Sequence, residues 1–197
     1  MGRVRSLTIG ERVGVVVWDS EALESKDDRE DWTMFKTHAG ISVACVIEAE
    51  TGLPTFYTAG DAEGHDIEAL AKRLEAAESV VSFNGLQYDN VVLGWTLGRR
   101  INIRHNCDLY ARIRKACGPE RWPKGSWKLD RICQDTLGFG KTEPDGASAP
   151  GLWKDGEMGK LFTYAFRDTW LTWRLYLHGK EAGFVVDPNG RELGVSF

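Results

Sequence analysis

The sequence lacks any apolar run long enough to cross a bilayer. A membrane-spanning helix needs about 18 or more consecutive apolar residues, and here charged residues make up 27% of the chain. The first five residues, Met-Gly-Arg-Val-Arg, also lack the apolar segment of a secretion signal. These absences argue against a membrane protein and a secreted one, and we expect a cytoplasmic protein.

Cysteine is scarce, and the spacing of the cysteines argues against a disulfide framework and against a zinc site. The four cysteines, Cys45, Cys107, Cys117 and Cys133, form no Cys-x-x-Cys pair and no dense framework of the kind that staples small secreted domains. Their spacings also fit no common zinc finger or zinc ribbon. We therefore expect reduced thiols and neither disulfides nor structural zinc.

Acidic residues exceed basic ones over the whole chain, but one segment has the opposite balance. The net charge is -4, yet residues 99–128 contain nine basic and two acidic residues, a net charge of +7 that leaves -11 for the rest. A basic flank beside an acidic remainder is expected when one surface holds phosphates and another holds metal ions. An ordinary solvated face remains an equal alternative.

Hydrophobic patterning predicts one α/β domain over residues 1–197, with 42% hydrophobic content sufficient for one core. The nearly continuous apolar run at 13–18 predicts a buried central strand that ends at Asp19. Further strands are predicted at 40–47, 55–58, 79–83 and 101–109, and helices at 66–77, 89–97, 127–137 and 158–179. Ser126 is a candidate N-terminal cap and Gly138 a C-terminal stop of the third helix. Residues 24–31 and 143–151 are predicted loops, and 187–190 a turn.

The first candidate site motif is Asp19-Ser20-Glu21, at the end of the predicted central strand. Side chains alternate along a strand, so Asp19 and Glu21 project to the same side, about 7 Å apart if the strand continues. Asp-x-Glu occurs by chance about once in a chain of this length. Its position after a buried strand is what favours a site over a solvated strand end.

The second motif covers residues 83–89, Phe-Asn-Gly-Leu-Gln-Tyr-Asp. A buried strand ends at the amide of Asn84, and the following helix begins with Asp89. Open α/β sheets commonly bind ligands at such an edge. The simpler interpretation is a turn at Asn84-Gly85 and an acid that favours the N-terminus of a helix.

The third motif is the pair Tyr164 and Asp168, four residues apart on the apolar stripe of the last predicted helix. Both side chains should point inward, one above the other. A carboxylate there is costly without a partner. That partner is either a metal ion or an arginine such as Arg167 or Arg174.

Four carboxylates and one tyrosine in these three patches suit a site for two metal ions that hydrolyses phosphodiester bonds. A cluster of ionised acids is unfavourable unless cations compensate it, and hard divalent cations prefer oxygen ligands. In this order, the three motifs are far more specific than any one of them.

The three motifs together resemble those of the DEDD superfamily of 3′-5′ exonucleases, which have a ribonuclease H-like fold. Tyr164 with Asp168 matches the tyrosine form, DEDDy, because Thr163 stands where the other form has histidine. The sequence of residues 83–89 is similar to the corresponding motif in exonuclease domains of family-B DNA polymerases and in stand-alone phage and prophage relatives. The resemblance covers about residues 13–178. The basic, tryptophan-containing stretch between the second and third motifs departs from it.

The resemblance implies a mixed central sheet flanked by helices and two ions of Mg²⁺ or Mn²⁺. It implies that Asp19, Glu21 and Asp168 bind one ion, that Asp19 also reaches the second, and that Asp89 holds the second largely through water. Tyr164 would orient the attacking water. The implied substrate-binding residues are Phe83, Asn84, Gly85 and Leu86.

Eight tryptophans raise the question of base stacking. Trp122, Trp127 and Trp153 lie in or beside predicted loops near the basic segment, where bases of a single strand would find them. Burial is the commoner fate of tryptophan and remains the alternative for these three. Four others fall in predicted helices or strands and are expected to pack: Trp18, Trp95, Trp170 and Trp173.

The expected activity is removal of nucleotides from 3′ ends in the cytoplasm of a bacterial or phage-infected cell, with single-stranded DNA favoured and RNA a second candidate. A separate polymerase or other replication and repair proteins are candidate partners. We expect no association with a membrane. Two alternatives stay open: an endonuclease of ribonuclease H-like fold, and a catalytically silent module that binds nucleic acid.

Overall fold

A computed structural model describes residues 13–24, 36, 38–60, 66–118, 127–140 and 149–197. All structural statements concern these parts of the chain. Nearly all of the loop predicted at 24–31, the cap predicted at Ser126, Trp122, and positions 143–148 of the second predicted loop lie outside them.

Five strands form one mixed sheet in the order β3-β2-β1-β4-β5. Their bounds are β1 Val13–Ala22, β2 Ile41–Glu48, β3 Pro54–Thr58, β4 Ala77–Ser82 and β5 Asn106–Asp108. Strand β2 runs antiparallel to both β1 and β3, whereas β4 is parallel to both β1 and β5. The carboxyl ends of β1, β4 and β5 therefore meet at one edge of the sheet.

Strand β1 is central because its side chains are apolar on both faces. Val16 and Trp18 point to one face, where they pack with α1, Ile67–Ala76, and α2, Asp89–Thr96. Val17 points to the opposite face. Burial on both faces is what a continuous β-branched run predicts.

The opposite face of the sheet is covered mainly by a 25-residue helix. The helices there are α3 Leu109–Cys117, α4 Leu129–Leu137, α5 Ala149–Lys154 and α6 Met158–Ala182. Leu161 and Ala165 of α6 pack on β2, and Leu171 and Leu175, further along α6, pack near Val17. Helix α6 therefore crosses the sheet over β1 and β2, which places its middle near the end of β1.

Local signals fix several element ends. The Asp66 carboxylate accepts a hydrogen bond of 2.6 Å from the Ala69 N–H and caps α1. Gly138 adopts the left-handed conformation that ends α4, as predicted. The turn predicted at 187–190 joins two short strands, β6 Phe184–Val186 and β7 Glu192–Gly194. No helix in the described ranges has the length and hydropathy to span a bilayer.

The predicted elements differ from the structure over residues 101–117 and at the end of the second predicted loop. The strand predicted at 101–109 is formed only at 106–108, because Ile101 and Ile103 pack against the core from an irregular segment. Residues 109–117 form helix α3, whose apolar side chains recur every fourth position. The loop predicted to end at residue 151 is helical from Ala149.

The tryptophans divide differently from the prediction. Trp18 is fully buried and Trp127 nearly so, while Trp153, Trp170 and Trp173 pack at the edges of the core. Trp95, which was expected to pack, is 60% exposed. Its helix buries Val92 and Leu93, so Trp95 lies on the other side of a short helix with a narrow apolar stripe.

Candidate metal centre

Strand β1 continues through the first motif to Ala22 and does not end at Asp19. Asp19 is opposite Cys45 and Glu21 is opposite Val43 on β2, and the register shifts only after Glu21. The alternation of the strand therefore holds Asp19 and Glu21 on one side, the side that α6 covers. The Glu21 side chain is buried and that of Asp19 half-buried.

Helix α6 brings Asp168 to the same place. One carboxylate oxygen from each of Asp19, Glu21 and Asp168 lies within 4.8 Å of the other two. We call these three residues the carboxylate trio. Three ionised groups at this separation repel one another strongly, and a divalent cation between them removes the repulsion. The all-oxygen donor set fits Mg²⁺ or Mn²⁺.

Asp89 does not belong to the trio, but it contacts Ser20, the residue between Asp19 and Glu21. Its Oδ1 accepts hydrogen bonds from the Ser20 backbone N–H at 3.1 Å and from the Ser20 hydroxyl at 2.6 Å. Because Ser20 lies between Asp19 and Glu21, its side chain points to the other face of β1. Asp89 thus reaches the backbone of β1 from the side of α2, at the residue between two members of the trio.

Asp89 is only 2% exposed, and this burial disfavours its ionised form. Burial raises the pKa of Asp89 to about 6, to which the nearby charge of Asp108 adds, while the hydrogen bonds from Ser20 act in the opposite direction. A divalent cation beside this carboxylate would favour its ionised form.

The loop of residues 83–86, which we call the Asn84 loop, is fastened by Asp108. The Asp108 carboxylate accepts hydrogen bonds of 3.0 Å from the backbone N–H groups of Asn84 and Leu86, one with each oxygen. It also accepts one of 3.0 Å from the Ala111 N–H, which caps α3. Asp108 is 3% exposed. One buried acid at the tip of β5 therefore sets the position of the loop.

The backbone of the Asn84 loop is itself constrained. Asn84 has φ of 66°, a left-handed conformation that asparagine tolerates better than most residues. A side chain at Gly85 would meet the buried Ser82 side chain. Phe83 stacks edge-on against Tyr110 with ring centroids 5.6 Å apart, and Leu86 is 48% exposed. The loop thus presents an amide and an apolar side chain from a rigid backbone.

Two tyrosines belong to the neighbourhood of the acids. Tyr164 is half-buried, one helical turn before Asp168 on α6, as the spacing predicted. Tyr88 was not predicted to have a role. Burial raises the pKa of Tyr88, and the charges of Asp89, Glu21 and Asp19 raise it further. Its place directly before Asp89 was the signal available in the sequence.

The structure thus brings Asp19, Glu21 and Asp168 into one group, places Asp89 against the backbone of β1, and positions the Asn84 loop through Asp108. Asp108 was missed because the sequence predicted only a strand at 101–109 and no helix after it. Asp108 caps helix α3, and its contacts to Asn84 and Leu86 are visible only in three dimensions.

Comparisons with known proteins identify the fold. No protein-family model matches the chain, and no curated protein is significantly similar in sequence. Among solved structures, it is similar to the family B DNA polymerase from the hyperthermophilic archaeon Pyrobaculum calidifontis, with a TM-score of 0.61 and 18% sequence identity. The match covers 86% of this chain but only 24% of the polymerase chain. The fold is α/β and ribonuclease H-like, as predicted.

Divalent cations should stabilise the protein through the trio. At an ion concentration of 100 times the Kd, binding adds about 2.7 kcal/mol, and each kcal/mol raises Tm by roughly 2–4 °C for a chain of this size. The increase in Tm on adding MnCl₂ to metal-free protein should therefore be at least several degrees. In Asp168→Asn it should fall by more than half.

The matched control is Glu192→Gln, an exposed acid on the distant β6–β7 hairpin, which should keep the full increase. For each variant, the Tm with manganese is compared with the Tm of the same variant without manganese, so a change in the stability of the metal-free protein does not affect the result. An unchanged increase in Asp168→Asn would show that the trio holds no ion.

Asp108→Asn should displace the Asn84 loop. The amide can replace only one of the two accepting oxygens, so a partly buried N–H is left without its partner, at a cost of up to about 1–3 kcal/mol. Hydrogen exchange should accelerate at Asn84 and Leu86. Asp187→Asn is the matched control, because Asp187 also accepts two backbone N–H bonds, from Asn189 and Arg191, in the β6–β7 turn. If the hydrogen-exchange rates at the Asn84 loop were equal in the two variants, Asp108 would not be what holds the loop in place.

Proposed function

We propose that this chain is a metal-dependent 3′-5′ exonuclease of the tyrosine form, hydrolysing phosphodiester bonds with two ions of Mg²⁺ or Mn²⁺. The observation that carries the proposal is the convergence of Asp19, Glu21 and Asp168 within 4.8 Å. The side chains come from two elements distant in sequence, on a fold that this chain shares with a segment of a DNA polymerase. A structural role gives no reason to gather three repelling charges.

The carboxylate trio and the resemblance to exonuclease motifs support the following ligands. Asp19, Glu21 and Asp168 would hold one ion, and Asp19 with Asp89 the other, with water completing the shell of Asp89. When bound, such a pair lowers the pKa of an attacking water and stabilises the leaving 3′-oxygen. No side chain then has to act as nucleophile, in keeping with a site composed of carboxylates and tyrosines.

Tyr164 would orient the water by hydrogen bonding. It lies one turn from Asp168 on the same helix, so its side chain projects toward the same region. A phenol with an ordinary pKa near 10 is a weak general base at neutral pH. Alignment of the water is therefore the role that its chemistry supports.

The Asn84 loop would bind the terminal nucleotide. The Asn84 amide and the exposed Leu86 side chain offer a hydrogen-bonding group and an apolar surface for the last base, while Phe83 and Gly85 shape the backbone. The hydrogen bonds to Asp108 fix this loop before substrate arrives. Such preorganisation reduces the ordering cost of binding.

Nucleic acid is the substrate class that the fold comparison supports, because the structural neighbour is a DNA polymerase. We assign single-stranded DNA ahead of RNA, and degradation or end trimming in replication or repair, in the cytoplasm of a bacterial or phage-infected cell. A separate polymerase is a candidate partner.

A time course on 5′-end-labelled DNA and RNA strands tests the activity. With Mg²⁺ or Mn²⁺, a strand with a 3′-hydroxyl should be shortened one nucleotide at a time, and DNA should be shortened faster than RNA. Asp19→Ala should lower the rate by roughly 10³-fold or more, because it removes the ligand assigned to both ions. Tyr164→Phe should lower it by roughly 10²-fold.

Glu192→Gln should cut at the wild-type rate. A closed single-stranded circle distinguishes an exonuclease from an endonuclease. An exonuclease leaves the circle intact, whereas cleavage of the circle at the rate of the linear strand would establish an endonuclease. Manganese binding without hydrolysis of any strand would contradict the proposed activity.

A further inference from the structure

A groove of about 510 Å³ lies along the side of α2 that faces away from the core. Its lining residues on the helix are Asn90, Val91, Gly94 and Trp95, and the segment 98–101 lines the other side. The groove begins with Asn90, directly after Asp89. It is therefore anchored on the same helix as one of the acids, but none of the residues assigned to hydrolysis lines it.

Trp95 supplies the apolar surface of the groove. It is 60% exposed, although large apolar side chains with more than half their surface in water are rare in the described chain. Its indole belongs to none of the apolar clusters formed by the described residues. The face of an exposed indole stacks well on nucleic-acid bases, and this interaction tolerates any base sequence.

The two arginines that line the groove have different electrostatic roles. Arg99 is held by Glu75 at 2.9 Å and Glu68 at 3.0 Å, so its charge is matched within the fold. Arg100 is exposed, and no ion pair joins it to another residue in the described ranges. The groove therefore presents one positive charge beside one aromatic ring, and the nearby carboxylates are already paired with Arg99.

Asn90 adds an acceptor. Its side-chain Oδ1 is buried and has no hydrogen-bond partner among the described residues. Buried acceptors are almost always satisfied, so this oxygen is expected to gain a donor from water or from a ligand when the Asn90 side chain turns toward the groove that it lines. Exocyclic amino groups of bases are donors of this kind.

We propose that this groove binds one unpaired nucleotide of the nucleic-acid strand on which the chain acts. The base stacks on Trp95, the phosphate pairs with Arg100, and Asn90 accepts a hydrogen bond from the base. The volume lies within the range of small-ligand sites, about 300–1,000 Å³. A cation and an aromatic ring in a groove whose described lining includes no acid favour a polyanion over a protein partner. The inference rests on the proposed function for the nature of the ligand.

Binding is measured separately from hydrolysis by using Asp19→Ala protein and a fluorescently labelled 16-nucleotide single strand of mixed sequence. Adding Trp95→Ala should weaken binding roughly 5- to 150-fold, the range for loss of one stacked base. Adding Arg100→Ala should weaken it and reduce the slope of log K against log salt by about 1. Trp95→Phe should restore part of the affinity.

The matched controls are Leu53→Ala and Arg191→Ala. Leu53 is 63% exposed on the β2–β3 turn, and Arg191 is exposed on the β6–β7 hairpin, both on other elements. Both should bind the strand within about twofold of the parent, a change too small for a lost contact. Because Trp95 is exposed, Trp95→Ala should change stability by no more than about 0.5 kcal/mol, which thermal unfolding checks.

The outcomes separate the two proposals. If wild-type protein degrades strands, and Trp95→Ala and Arg100→Ala bind them as the controls do, the groove does not hold the strand and the nuclease assignment stands. A protein that captures Trp95 while strand binding is unchanged would likewise overturn the inference. If wild-type protein with manganese neither degrades nor binds strands, the proposed function itself is wrong.

Discussion

The central constraint on this molecule is the electrostatic repulsion among Asp19, Glu21 and Asp168, whose oxygens lie within 4.8 Å of one another. The apolar core works against that repulsion. The buried run that ends in Trp18 holds the end of β1 in place, and Leu171 and Leu175 hold α6 against the same face of the sheet. The packing energy of the core thus keeps the carboxylates together, and a divalent cation is the natural compensation.

Both faces of β1 contribute to the site. Asp19 and Glu21 face α6, while Ser20 faces α2 and bonds Asp89. One strand therefore connects the acids that come from two different helices. The parallel strands β4 and β5 end at the same edge, which is where Asp108 fixes the Asn84 loop. This gathering of strand ends is the general location of ligand sites in open α/β sheets.

Sequence patterns predicted what depends on local periodicity. The period of two on β1 placed Asp19 and Glu21 on one side, and the spacing of four on α6 placed Tyr164 near Asp168. The α/β class followed from the order of the elements. Contacts between distant segments were beyond such patterns: Asp108 holding Asn84, Ser20 holding Asp89, and the exposure of Trp95, which depends on how much of α2 the sheet covers. Helix α3 was missed because its apolar spacing begins inside the predicted strand.

The most direct test is the location of manganese in crystals of the wild-type protein by anomalous X-ray scattering. The account predicts an ion bound by oxygens of Asp19, Glu21 and Asp168, and a second ion about 3.5–4 Å away on the side of Asp89. Crystals soaked at saturating manganese with no ion between the three carboxylates, or with manganese bound only elsewhere on the protein, would contradict it.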